Sequence, residues 1–177
     1  SFWRLLLTWL VILLAGRSLR MVLLFEAVAG NVSAASVCAI ITCGAVVGAM
    51  MAILAGRFYN SFGPTVLNRT AGIMLLGSAT LLYYFPTTGA TLFEGTIANI
   101  LICVSFVLSN TAVYRATGTI FSGGPRVTAF SRLNALNSIL EIIAPLGVGF
   151  LFDLYPEDLS AALGLFACLA LLLPRTF

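Results

Sequence analysis

The stretch AASVCAIITCGAVVGAMMAILAG, residues 34–56, contains no charged residue, and it is followed by RFYNSFGPTVLNR, residues 57–69, which begins and ends on arginine. A membrane-spanning helix needs roughly 20 consecutive apolar residues. The first stretch therefore reads as one span closed by a basic edge. Outward from it, the loop and terminal charges alternate in sign: Arg4, then Glu26, then Arg57 and Arg69, then Glu94, then Arg115, Arg126 and Arg132, then Asp153, Glu157 and Asp158, then Arg175. Basic ends are retained in the cytoplasm while acidic ends hardly affect orientation. The pattern predicts an all-α integral membrane protein, a six-transmembrane-helix bundle with both termini cytoplasmic (N-in/C-in). The expected spans are about 3–25, 34–56, 65–86, 91–114, 127–152 and 159–174, forming one membrane domain over residues 1–177. Strands are excluded, because membrane strands run about ten residues with alternating polarity and nothing here alternates.

Composition agrees with this reading. Of the 177 residues 60% are hydrophobic and 8% charged, and the mean hydropathy is +1.09, whereas soluble domains carry about 25% charged residues. The net charge of +3 follows from the basic inner edges and implies no nucleic-acid partner. Lys, Gln and His are all absent, so no mechanism can use an imidazole. Cys38, Cys43, Cys103 and Cys168 fall inside expected spans without ligand-like spacing, and they read as buried, unpaired packing thiols.

Short connections are expected at Val28–Ser33, Arg57–Pro64, Thr87–Ala90, Phe121–Pro125 and Leu154–Asp158, punctuated by Gly63-Pro64, Pro86, Gly123-Gly124-Pro125 and Pro156. Gly44, Gly48, Ala52 and Gly56 recur every four residues. In lipid such a small-residue face lets two backbones approach closely, either within the bundle or toward another chain. Pro145, with Ala144, Gly147 and Gly149, predicts a kink in the outer half of the fifth span.

Arg17, Arg20 and Glu141 remain, and they lie inside apolar segments. With span one entering near residue 5 and rising about 1.5 Å per residue, Arg17 lies roughly 18 Å deep, near the midplane of a ~30 Å core. Arg20 falls one turn further on the same face, and Glu141 reaches a similar depth from its own span. A central arginine facing lipid costs at least about 2.5–3.5 kcal/mol. Two readings stand together here: a structural ion pair between Arg17 and Glu141, and a water-filled cavity in which these groups meet a solute. Asn137 and Asn99 supply hydrogen-bonding capacity to such a cavity, as do Asn134, Ser138, Ser105 and Asn110.

Enzyme chemistry is not expected. Without histidine there is no serine–histidine pair, the carboxylates are scattered, and Ser122-Gly123-Gly124-Pro125 lacks the Lys-Ser/Thr of a phosphate-cradling loop. No catalytic residue, metal site or cofactor is predicted.

The turn Gly56-Arg57-Phe58-Tyr59-Asn60-Ser61-Phe62-Gly63-Pro64 resembles the signature loop between the second and third helices of the major facilitator superfamily. Gly56 and Gly63 match at the family's spacing. Asn60 stands where the family has Asp, Ser61 where it has a basic residue, and Pro64-Thr65 where it has a basic pair. Ala144-Pro145-Leu146-Gly147-Val148-Gly149 is similar to the Gly-Pro-x-x-Gly-Gly stretch of the family's fifth helix, with Pro145 and Gly149 matching. Asn99 stands in the span where many proton-coupled members carry arginine. The resemblance implies one six-helix half of a transporter whose solute cavity lies between two halves; the signature glycines favour the first half, and the departures in that loop leave the second open.

The expected function is accordingly a secondary transporter, half or fragment, moving a small anionic or amphipathic organic solute by alternating access. Arg17, Arg20, Glu141, Asn137 and Asn99 would line the cavity, and Gly56, Arg57, Asn60, Gly63, Pro145 and Gly149 would form gate and hinge. The expected partners are the lipid bilayer, the small-molecule solute, and a second six-helix half, a homodimer mate or a larger membrane complex. The expected location is a bacterial inner (plasma) membrane. The rival reading is a non-transporting scaffold or assembly subunit of a larger complex, which would keep the fold but lose the gate.

Overall fold

The computed structural model describes residues 2–84, 92–155 and 158–172, with side chains through residue 168. Its described residues form helices α1 (Phe2–Ala29), α2 (Ala34–Tyr84), α3 (Leu92–Ile120), α4 (Gly123–Leu154) and α5 (Leu159–Leu172), and no strand. Each of α1 to α4 is long and apolar enough to cross a membrane. A helix is the natural solution for such segments, because it satisfies every interior backbone donor and acceptor within itself where lipid offers none.

Two boundaries differ from the sequence expectation. The turn expected over 57–64 is helical almost throughout: α2 runs through all 51 residues, and only Gly63, at φ 77° and ψ 173°, leaves helical geometry. That backbone region is essentially open to glycine alone. Pro64 follows with its preset φ, as suits the first residue of a new helical segment. The turn expected over 121–125 likewise shrinks to Phe121 and Ser122. Hydropathy marks where a chain enters hydrocarbon, whereas helical hydrogen bonding continues past that point until a residue breaks it. Nothing between Arg57 and Phe62 does so. The expected turn 87–90 with Pro86, the residues Pro156 and Glu157, and the end of span six with Arg175 lie outside the described residues.

The two arms of α2, residues 34–62 and 64–84, run in opposite directions along α3. On the first arm Asn99 Nδ2 donates to the Ile40 carbonyl at 2.8 Å, and further along Arg115 reaches Asn60 at 3.1 Å. On the second arm the order reverses: Ser109 Oγ donates to Asn68 Oδ1 at 2.9 Å, and Ser78 Oγ to the Ala98 carbonyl at 3.1 Å. The small-residue face of the first arm turns toward α3. A Cβ at Gly44 would fall 2.1 Å from Asn99 Nδ2, and one at Gly48 would meet Cys103 at 3.4 Å. Ala52 has drifted outward to an exposed position and Ala55 is buried in its stead, because four residues exceed one helical turn of 3.6.

Helix α1 is the central rod. Leu5, Trp9, Ile12, Leu13, Leu19 and Leu23 are all buried, and α1 packs against α2, α3, α4 and α5. Trp9 Nε1 donates to Asn110 Oδ1 at 2.7 Å, linking α1 to α3. Helix α4 is the outlying one, with only Leu133, Ala144 and Val148 buried. It remains continuously helical through Pro145, so the expected kink does not interrupt it. The thiols also depart from expectation: Cys103 and Cys168 are half-buried, but Cys38 and Cys43 are exposed. A lipid-facing surface is as apolar as a core, so hydropathy cannot tell these sites apart.

The break in α2 generates a prediction. Gly63→Ala should destabilise the protein by about 1–3 kcal/mol, the cost of forcing a Cβ into this backbone region. Gly124→Ala, at a position with open space, should change stability by only a few tenths. Denaturant titration in mixed micelles measures both, and equal stabilities would refute the role of Gly63.

Candidate functional site

Helices α1 and α4 lie parallel. Phe25 and Phe152 meet near their C-terminal ends at 5.4 Å between ring centroids, and between these and the N-terminal ends Arg17 reaches across to α4. On α4, Asn137 and Glu141 are spaced by one turn and so share a face. Arg17 Nη1 donates to the Asn137 carbonyl, and Nη2 donates to Asn137 Oδ1 at 2.7 Å and to Glu141 Oε1 at 2.8 Å. The guanidinium side chain is 14% exposed and the carboxylate 60%. The arginine is thus held by its partners, while the carboxylate stands at an opening.

That opening is a cavity of about 310 Å³ lined by Arg17, Arg20, Met21, Phe106, Glu141 and Pro145. Arg20 forms no hydrogen bond or ion pair among the described residues. The cavity therefore carries one positive charge in excess, beside an aromatic and an aliphatic wall. Proline has no N–H, so Pro145 removes the donor that would otherwise bind the carbonyl of Glu141 within the helix. The backbone carbonyl of the cavity's carboxylate residue is thereby freed from the helical ladder.

Of the residues singled out in the sequence for a cavity, Arg17, Arg20, Glu141 and Asn137 come together. Asn99 stands apart. It is fully buried between α2 and α3, where its Nδ2 bonds Ile40 and its Oδ1 has no partner among the described residues. Ser105 and Asn110 also serve interhelical or local bonds: Ser105 Oγ donates to the Ile102 carbonyl at 2.7 Å, and Asn110 accepts from Trp9. Asn134 accepts from the Tyr114 hydroxyl.

The residues singled out for gate and hinge divide into two groups. Gly56, Arg57, Asn60 and Gly63 gather at the end of the bundle where α2 breaks, and there Arg115 Nη1 donates to the Gly56 carbonyl at 3.2 Å and to Asn60 Oδ1 at 3.1 Å. Arg57 is exposed. Pro145 and Gly149 belong to α4. A Cβ at Gly149 would only touch the Phe25 ring at 4.0 Å. Arg115, Tyr114, Arg126 and Phe130 are functional candidates that sequence reading passed over. Their sequence signals are the place of Arg115 and Arg126 among the alternating charges and the adjacent pair Tyr114-Arg115 at the end of an apolar run, which say nothing of what these residues meet across the bundle.

Chemically, the Arg17–Arg20–Glu141 arrangement can attract and orient an anion. Among the described residues no group of three or more His, Cys, Asp or Glu gathers. Arg17 and Glu141 act on one another directly, so their substitutions should not add. A double-mutant cycle of Arg17→Met and Glu141→Gln, read by unfolding in micelles, should return a coupling of about 0.5–3 kcal/mol. Additivity within about 0.3 kcal/mol would mean that the bond contributes nothing.

Comparison with models of known families, with curated proteins and with solved structures finds no match for this chain.

Proposed function

We infer that this chain is a secondary membrane transporter unit, resembling one six-helix half of a major facilitator protein, which moves a small anionic or amphipathic organic solute by alternating access. The observation that carries this reading is Arg20. It is a cation near the middle of an apolar helix, one turn from an Arg17 already bound to Asn137 and Glu141, and it faces an open cavity without a hydrogen-bond or ion-pair partner among the described residues. An intramembrane charge costs several kcal/mol unless water, a partner or a solute meets it. A structural pair would account for Arg17 and Glu141 alone. The excess positive charge attracts an anionic headgroup, while Phe106 and Met21 suit an apolar body.

Glu141 serves as counter-charge or as the site of a coupling proton. Helix α4 is the element able to move, because few of its residues are buried and Arg17 is a polar tie holding it to α1 near mid-length. Its outward face, with Ile139, Ile142, Leu146 and Phe150 exposed, meets lipid together with a second six-helix half, a homodimer mate or a larger complex. The alternating charges favour six passes with both termini cytoplasmic, in a bacterial inner membrane.

Two experiments test the reading. In vesicles containing the purified chain, labelled benzoate should be taken up saturably. Arg17→Ala and Arg20→Ala should each reduce uptake about tenfold or more, the loss of one charge-assisted hydrogen bond. Absent flux in all three proteins, together with a stably co-purifying partner, would favour the scaffold instead. For orientation, single cysteines replacing Arg69 and Glu94 in a cysteine-free background should react with impermeant reagents from opposite sides of the membrane. Labelling of both from one side is incompatible with the alternating weave.

A further inference from the structure

At the end of the bundle where α2 breaks, a second cavity of about 460 Å³ opens among α2, α3 and α4, and Tyr59, Asn60, Tyr114, Arg115, Arg126 and Phe130 are among its lining residues. Phe106, at the first cavity, lies nine residues from Arg115 on α3, so the two sites are about 13 Å apart along the helix.

Each guanidinium in this second cavity is held in place, yet neither is neutralised. Arg115 uses one nitrogen, Nη1, to bond the Gly56 carbonyl and Asn60 Oδ1, and its Cζ lies 5.7 Å from the centroid of the Tyr59 ring. Its Nη2 occupies space that a side chain at position 56 would fill, 2.6 Å from where a Cβ would stand. Arg126 lies over the Phe130 ring at 5.4 Å. Phe130 in turn stacks on Tyr114, with centroids 5.8 Å apart and an interplanar angle of 11°, and Tyr114 is fixed through its hydroxyl to Asn134. Gly118 leaves room beside Arg126, whose Nη2 lies 3.3 Å from a Cβ placed there.

Aromatic faces attract guanidinium groups but leave their in-plane donors free. Arg115 Nε and Nη2 and every donor of Arg126 make no hydrogen bond among the described residues, and neither arginine has a carboxylate partner there. Two positioned cations around one opening repel each other until an anion joins them. The anion whose several oxygens match two guanidinium forks is a phosphate group.

We propose that the cavity between Arg115 and Arg126 is a phosphate-binding site, taking the phosphate of an anionic phospholipid headgroup or of a soluble phosphate ester. The lipid source is the natural occupant at a membrane rim, because basic pockets between helices on the cytoplasmic side recruit anionic headgroups. The site does not depend on the transport reading, and it uses none of the residues of the Arg17 cavity.

The test uses the purified full chain in neutral detergent, with native mass spectrometry reading retention of phosphatidylglycerol and calorimetry reading binding of glycerol 3-phosphate. Binding should weaken about tenfold for each of Arg115→Gln and Arg126→Gln. Gly118→Val should weaken it similarly, by filling the space while keeping both charges. Arg4→Gln with Arg132→Gln, which removes two charges from the same end where each arginine variant of the cavity removes one, should leave binding within about twofold. Retention of phosphatidylglycerol alone, lost in the cavity variants, identifies the lipid headgroup as source. Binding of glycerol 3-phosphate with the same losses identifies a soluble ester. The proposal is overturned if the cavity variants bind both probes as the unaltered chain does, if neither probe binds, or if the Arg4/Arg132 double variant weakens binding as much as Arg115→Gln or Arg126→Gln does.

Discussion

Lipid tails are as apolar as leucine, so moving a leucine from lipid to a helix interface gains little free energy, and the helices must be held by other means. In this chain those means are close approach and a few interhelical hydrogen bonds. Gly44 brings the first arm of α2 so near to α3 that no Cβ fits beside Asn99. Asn99 then bonds the Ile40 carbonyl from the same contact. On the opposite side of α3, Asn68 accepts from Ser109 and donates to the Leu5 carbonyl at 3.4 Å, which joins three helices through one side chain. Such bonds average about 0.6 kcal/mol in membrane proteins, so their number and placement matter more than any one of them.

The same constraint divides the bundle into a tight part and a loose one. The pairing of α2 with α3 uses small residues and buried amides along its length. Helix α4 has little of either, and Arg17 is its main polar tie to α1. Tyr114 and Asn134 supply a further link, to α3. Apolar contacts such as Phe25 with Phe152 and the buried Val148 complete its attachment. The Arg17–Glu141 contact thus bears on how α4 is seated, in a way that the α2–α3 pair does not share.

Arginine is used in two distinct settings. Arg17 sits among oxygen acceptors, so its charge is internally balanced. Arg115 and Arg126 lie over aromatic rings, which steady the guanidinium without neutralising it. Arginine suits both settings because its charge persists in poorly hydrated surroundings and its planar fork stacks as well as it bonds. Asn60 fits the second setting: an amide oxygen orients Arg115 but leaves its charge uncompensated.

Helical class, membrane character and the isolation of Arg17, Arg20 and Glu141 were legible from residues 1–177 alone, because each depends on run length or on the cost of a charge in hydrocarbon, both of which are local properties. The depth estimate also put Arg17 and Glu141 at one level, since rise per residue is a property of any helix. Other features needed the folded chain. Asn137, an amide among several, becomes a ligand of Arg17 because α4 lies parallel to α1, whereas Asn99, equally polar, is turned into the α2–α3 contact. The span of residues 57–62 turned out helical, because only the backbone at Gly63 reveals which residue bears the turn. The joining of Arg115 with Gly56, and of Arg126 with Gly118, is a matter of which helix faces meet. Sequence determines how far along its own helix each residue stands, but facing and pairing arise only when the helices pack, since in lipid every face is apolar enough to be either inside or out.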